Sequence, residues 1–145
     1  HNLGNAFYQQ KDYKKAVEYT LMTGLALNCT IPNHAKFDRK NYPYPDLMKG
    51  YQISQFDMPL AINGHLTIDL KDTKREIGIT RVHLEEDVAK LIHKKELNGP
   101  RYTLADVNRS GVPLMEIVSE PDMRTPEEAR TYLIKLKAIL ESSKK

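Results

Sequence analysis

The sequence lacks most of the features that would assign it a class at first sight. It has one cysteine, Cys29, so no disulfide can form within the chain. The apolar helical surroundings of that thiol favour a small buried hydrophobe. No apolar run approaches the roughly 18 residues that a bilayer demands, and residues 1–4 carry neither the basic segment nor the apolar stretch of a secretory signal. The expectation is a cytoplasmic protein without membrane association. The glycines stand isolated, so there is no Walker-type phosphate cradle, and any nucleotide site must work through acidic metal ligands and basic side chains. The five histidines show no zinc spacing, and no Ser-His-Asp constellation can be assigned from order alone. A net charge of +3 permits contact with nucleic acid, but the charges are mixed along the chain. A chain of 145 residues has room for one domain with a short appendage, which excludes a complete multidomain enzyme.

What is present is a helical start, a strand-rich middle and a helical end. Residues 2–10 (Leu3, Ala6, Phe7) and 14–28 (Ala16, Val17, Leu21, Met22, Leu25, Ala26) have helical spacing and predict a helical hairpin over residues 1–28. Periodicity stops over residues 36–49, where Pro43 and Pro45 predict an irregular loop. Asn63-Gly64 predicts a two-residue hairpin turn between strands at 58–62 and 65–70. Further strands are expected at 75–86, 89–93 and 112–118. Thr125, Pro126 and Glu128 spell a capping box, opening a helix whose stripe is Ala129, Leu133, Leu136, Ile139 and Leu140. Strands in succession flanked by helices favour an α+β domain on an antiparallel sheet.

Three stretches could carry chemistry. In Arg81-Val82-His83-Leu84-Glu85-Glu86-Asp87, strand alternation sends His83 and Glu85 to one face and Leu84 and Glu86 to the other. Glu116 is the one charged residue in the apolar run 112–118. Unpaired burial of a carboxylate costs several kcal/mol, so Glu116 must be exposed on one face, ion-paired to Arg81 or Arg109, protonated, or bound to a cation. Oxygen-rich sets of this kind suit magnesium. The stretch from Lys36 to Asp46 mixes cations with aromatics and prolines, which suits an anion such as a phosphate or an aminoacyl-tRNA end and equally suits a surface loop.

Taken in order, residues 36–46 joined to Tyr51-Gln52-Ile53-Ser54-Gln55-Phe56-Asp57, then residues 77–87, 106–114 and Ile117-Val118-Ser119-Glu120-Pro121-Asp122, resemble the B subunit of the aspartyl/glutamyl-tRNA amidotransferases. The resemblance implies a carbon-nitrogen ligase with glutamine as amido donor. In that enzyme the A subunit releases ammonia, and the B subunit uses ATP and magnesium to activate misacylated Glu-tRNA(Gln) or Asp-tRNA(Asn). It also implies a third partner, the C subunit, and a fold similar to glutamine synthetase and the guanidino kinases over residues 29–145. By position, Glu86 and Glu116 match magnesium ligands, with Glu85 beside them. Lys40 matches a basic residue facing the ammonia path. Lys40 and Glu86 are therefore the candidate catalytic residues, and Lys49 and Arg81 the candidate cofactor-binding cations.

Residues 2–19 also resemble a single tetratricopeptide repeat, a unit that cannot bury its face alone. The Glu-Val-His strand with which the amidotransferase family opens finds no match here, and residues 141–145 depart from the family pattern. A non-catalytic interaction module, a repeat-like hairpin fused to a relict domain, is the competing expectation.

Overall fold

The β-branched run around Ile77, Ile79 and Val82 forms the longest strand, β4 (Lys74–Glu86), of the computed structural model, which describes residues 13–96 and 99–142. The chain runs through helix α1 (Tyr13–Ala26), β1 (Asp38–Asn41), β2 (Tyr51–Ser54), β3 (Ala61–Asp69), β4, β5 (Lys90–Lys95), β6 (Arg101–Asp106), β7 (Pro113–Ser119) and helix α2 (Pro126–Ser142). All pairings are antiparallel: a three-stranded sheet in the order β3-β4-β7, and two ribbons, β1-β2 and β5-β6. The α+β expectation therefore holds. Its helical hairpin is described only in the second arm, α1, because residues 2–10 lie outside the described residues. No helix among the described residues is long and apolar enough to cross a membrane.

Asn63-Gly64 is not a hairpin turn. β3 runs straight through it and pairs with β4 from Ala61↔Val82 to Asp69↔Lys74, and the turn comes later, where the Leu70 amide donates to the Thr73 carbonyl at 2.8 Å. Two backbone partners hold the dipeptide in a strand. On one side is β4; on the other, the chain leaving α1 supplies Leu27 O to His65 N at 2.8 Å and exchanges bonds between Thr30 and Ile62. A Cβ on Gly64 would sit 2.3 Å from Cys29 Sγ and 2.4 Å from Leu27 O, so only glycine admits this approach.

Asn63 keeps a left-handed φ of 54°, and it faces Thr80, where the β4–β7 register also slips. The paired irregularity reverses which residues face the core. Before it the buried residues are Ile77 and Ile79 in β4 with Leu66 and Ile68 in β3; beyond it they are Val82 and Leu84 with Ala61. Met115 and Ile117 of β7 join the same face. Fully burying side chains of the size of Ile68, Ile77 and Ile79 contributes roughly 1.5–3 kcal/mol each.

Both helices pack on this sheet with faces that the apolar pattern gives only in part. In α1 the buried residues are Ala16, Thr20, Thr23 and Gly24, whereas Met22 and Leu25 are exposed. Close approach to β3 and β4 favours small side chains, and the Thr20 hydroxyl is satisfied by donating to Ala16 O at 2.7 Å. In α2, Tyr132 fills the core position and Leu133 points to solvent, while Leu136 and Ile139 pack as expected. The capping box is realised: Glu128 N donates to Thr125 Oγ1 at 3.2 Å, and Thr125 N returns to Glu128 Oε2 at 3.0 Å. Arg75 fixes the helix to the sheet through Glu128 Oε1 at 2.8 Å and Asp122 O at 2.7 Å. The Arg124 amide, ahead of Thr125 and Arg75, holds the Glu128 carboxyl below its ordinary range against the opposing effect of desolvation.

Residues 36–49 are not wholly irregular, since β1 lies within them and pairs with β2 from Asp38↔Ser54 to Asn41↔Tyr51. The β2 segment meets β4 through side chains. Beyond Val82 the edge of β4 has no strand on the β3 side among the described residues, and two buried glutamines serve it: Leu84 N donates to Gln55 Oε1 at 3.0 Å, and Gln52 Nε2 donates to Glu86 O at 2.6 Å. Gln55 spends its amide protons on Lys36 O at 3.1 Å and Met58 O at 3.5 Å.

Two substitutions check this account by thermal or urea unfolding. Gly64→Ala drives a methyl into backbone and should lower stability by about 1–3 kcal/mol. Thr125→Ala removes the helix cap and should cost about 1 kcal/mol, with Thr125→Ser close to neutral.

Candidate functional site

Because the face of β4 is reversed at Thr80, Arg81, His83 and Glu85 project away from the helices, and the β7 register sets Glu116 directly across from His83. His83, Glu85 and Glu116 offer ligand-type atoms within 4.8 Å of one another. Arg81 Nε donates to His83 Nδ1 at 3.3 Å, which leaves Nε2 as the proton-bearing nitrogen, 3.4 Å from Glu85 Oε2. Ser54 Oγ donates to the same carboxylate oxygen at 3.3 Å. His83 is buried and Glu116 exposed. Of the alternatives open to Glu116, exposure on one sheet face is the one realised. Neither arginine considered for it is its ion-pair partner among the described residues: Arg109 bonds Asp87 and Arg81 bonds His83.

Burial pushes the Glu85 carboxyl up, but hydrogen bonding from His83, with further hydrogen bonds to Glu116 and Ser54, outweighs it and leaves the group below its ordinary value. Glu85 is therefore ionised at neutral pH, the state a metal ligand needs. Two adjacent carboxylates with a histidine already engaged as a donor to one of them make an oxygen set of the kind a hard divalent cation takes.

The cavity of about 720 Å³ over this cluster is lined by Lys40, Arg39, Lys36 and Asp38 of the β1 side, by Ser54, Gln55, Phe56 and Asp57, and by Arg81, His83, Glu85 and Glu116. Four sequence-predicted residues, Lys40, Arg81, Glu85 and Glu116, thus meet in one place. Lys40 Nζ stands 5.4 Å from the Tyr42 ring centroid. Lys36 is held by Asp38 at 3.0 Å and Asp57 at 2.9 Å.

Glu86 and Lys49 meet elsewhere. Glu86 points to the opposite side of β4 from Glu85, where Lys49 Nζ spans both its oxygens at 2.7 Å and Ile53 N donates to Oε2 at 2.9 Å. The same ammonium lies 4.7 Å from the Tyr51 ring centroid, and Arg39 lies 4.5 Å from that ring. A neighbouring pocket is lined by Leu47, Met48, Lys49, Tyr51, Glu86, Asp87, Ser110 and Gly111. Gly111 takes a φ of 80°, strained for any side chain, beside Glu86 Oε1. Sequence reasoning put His83 on the face of Glu85 without giving it a place in the site, and it gave none to Ser54 or the two glutamines. The alternation rule could have brought in His83; Ser54 and the glutamines carry no periodic signal. Cys29 is buried and free, and desolvation raises its thiol, in line with the expected structural role.

Comparison with known proteins supplies a family for this geometry. The GatB/GatE catalytic domain profile matches residues 11–145, including residues 141–145, which the motifs alone left out of the pattern. The B subunit of the aspartyl/glutamyl-tRNA(Asn/Gln) amidotransferase of Dehalococcoides mccartyi is 66% identical over 127 residues, 88% of this chain and 26% of the relative. The protein of the same name from Carboxydothermus hydrogenoformans is 59% identical over 128 residues, 88% of this chain and 27% of its own length. That of Moorella thermoacetica is 58% identical over 130 residues, again covering 88% and 27%. The chain spans about a quarter of the length of the curated relatives it matches.

The depressed Glu85 carboxyl has a signed consequence for stability. Its folded value lies below the ordinary 4.5, so the stabilisation is present above that pH and is lost as pH falls through the folded value. Melting temperature followed from neutral pH into this acid range should therefore fall less steeply in Glu85→Gln than in the wild type. Parallel curves would show that the carboxyl is not held as described.

Proposed function

The chain belongs to the GatB/GatE catalytic domain family, and on that premise we propose that it is part of the B subunit of a cytoplasmic tRNA-dependent amidotransferase, a carbon-nitrogen ligase acting with A and C subunits. Its substrate on this reading is misacylated Glu-tRNA(Gln) or Asp-tRNA(Asn), activated with ATP and magnesium and amidated by ammonia from glutamine. The observation that carries the reading is the convergence of Glu85, Glu116, Arg81 and Lys40 on one cavity. The α+β architecture agrees with the glutamine synthetase and guanidino kinase type of fold that the motifs imply. The helical hairpin proposed for residues 1–28 contributes its described arm, α1, to the opposite side of the sheet.

Activation requires an oxygen of the substrate's side-chain carboxylate to bond to the γ-phosphorus of ATP as the bond to the leaving ADP breaks. Ammonia then forms the carbon-nitrogen bond, the phosphate departs with the acyl oxygen, and the surplus proton of the nitrogen is lost. Glu85 and Glu116 would hold the magnesium, which would supply positive charge against phosphate oxygens. Glu86, the third carboxylate the motifs propose for that role and as a catalytic residue, has its oxygens on Lys49 on the opposite side of β4, so it would act apart from the ion held by Glu85 and Glu116. Arg81 and Lys49 offer charge to the cofactor, and Lys40 stands at the rim where ammonia would enter. His83 orients Glu85 through Nε2, so that carboxylate is presented in one rotamer.

The assay is amidation of misacylated tRNA by the complete protein assembled with its A and C subunits. Glu85→Gln and Glu116→Gln should each lower kcat roughly 100-fold or more, with partial recovery at raised magnesium, because even supporting residues of metal sites cost about 10 to 100-fold. His83→Ala should fall within that lower range. Wild-type rates in both glutamine variants would sink the proposed role of this cluster.

A further inference from the structure

One element is not used by the site. The β5–β6 ribbon pairs only with itself and, among the described residues, packs on no other helix or strand. An isolated two-stranded ribbon is marginal in water. Its register makes it stranger still: Lys95 stands directly opposite Arg101, and Lys94 opposite Tyr102. Like charges directly opposed across strands are destabilising. Among the described residues Lys94, Lys95 and Arg101 form no ion pair. On the face of Lys94, Tyr102 and Leu104 are 44% and 51% exposed. An element that opposes two cations on one face and leaves them unneutralised there, with Tyr102 and Leu104 on the other face, is built to meet an anion.

Its root lies at the site. The ribbon is the excursion between the strand that ends at Glu86 and the strand that carries Glu116, and its base is pinned there. Asp87 N donates to Val112 O at 2.8 Å, Gly111 N to Asp87 O at 2.9 Å, and the Arg109 guanidinium binds the Asp87 carboxylate. Six residue pairs at about 3.4 Å each carry the tip roughly 20 Å outward.

We propose that the β5–β6 ribbon binds the phosphodiester backbone of the substrate RNA leading up to its aminoacyl end, through Lys95 and Arg101 on one face and Lys94 on the other. This rests on the amidotransferase reading above. Arg101 can take a phosphate with two parallel N–H bonds and the lysines add point charge. Contacts of this kind position the RNA and carry no sequence information.

The test is fluorescence anisotropy of labelled, unacylated tRNA with the complete protein and its partner subunits, between about 50 and 200 mM salt. K95E/R101E should weaken binding roughly 10-fold or more at low salt, and K95Q/R101Q should lower the slope of log affinity against log salt by roughly 2, near 0.9 for each duplex phosphate no longer neutralised. Because the ribbon packs on no other described element, the melting temperature should be unchanged. The control K71E/K137E makes the same change in net charge on the β3–β4 turn and α2. Wild-type affinity and slope in both ribbon variants would overturn the proposal while leaving the amidotransferase reading intact. Equal loss in the control would overturn it as a long-range charge effect, and release of a partner protein with RNA binding retained would make the ribbon a protein contact. Failure of the wild type itself to bind tRNA would remove the reading on which the proposal stands.

Discussion

The paired irregularity of Asn63 and Thr80 is the constraint from which the rest follows. A strand has two faces, and a chain that alternated without interruption from Ile77 would put His83 and Glu85 into the core and Val82 and Leu84 into solvent. The slip at Thr80, matched by the left-handed Asn63 on β3, lets one strand serve two purposes in succession. Its first half supplies Ile77 and Ile79 to the core under α2, and its second half presents Arg81, His83 and Glu85 outward while Leu84 packs on Ala16. Bulges that re-aim side chains beside a site are a recurrent device, and here the device acts on both members of a strand pair.

Electrostatics then divides the carboxylates that the strand end brings together. Three acidic residues in sequence, Glu85, Glu86 and Asp87, would repel one another if left to solvent alone. Each instead has its own counterpart: His83 and Ser54 for Glu85, Lys49 and the Ile53 amide for Glu86, Arg109 for Asp87. Glu116 alone arrives without an ion pair among the described residues, and it arrives beside Glu85. The acidic groups left for an added cation are thus the one pair that shares a face, Glu85 and Glu116.

Much of this was legible where the physics is local. The capping box at Thr125, the antiparallel α+β class, the β4 and β7 strands and the division of His83 and Glu85 from Leu84 and Glu86 all follow from period and cap chemistry. What was not legible depended on distant chain. Asn63-Gly64 has hairpin composition, but Leu27 and Thr30, more than thirty residues earlier, hold it in a strand. β1 is all polar, so it has no apolar signal to read, and in β6 the short alternation of Tyr102 and Leu104 with Arg101 and Thr103 stays exposed, so no core demands it. In α1 the threonines are buried because the sheet is close, a fact no apolar periodicity contains. The Lys49–Glu86 pair joins residues 37 apart in sequence, and the motifs that named both could not say that they bind each other.

The two glutamines on the β2 side carry a consequence of another kind. An open strand edge is a template on which another chain can add a strand, and the exposed groups of Leu84 and Glu86 would form one beside a carboxylate cluster. Gln55 and Gln52 fill two of those groups, Leu84 N and Glu86 O, with side-chain amides, and among the described residues no strand is laid along them. This pairing ties two positions of the sequence to one outcome: an apolar residue at either would reopen half of the edge and strand a buried peptide group at a cost of about 1–3 kcal/mol. Protection from strand addition here is thus vested in two amides, and it should fail one hydrogen bond at a time.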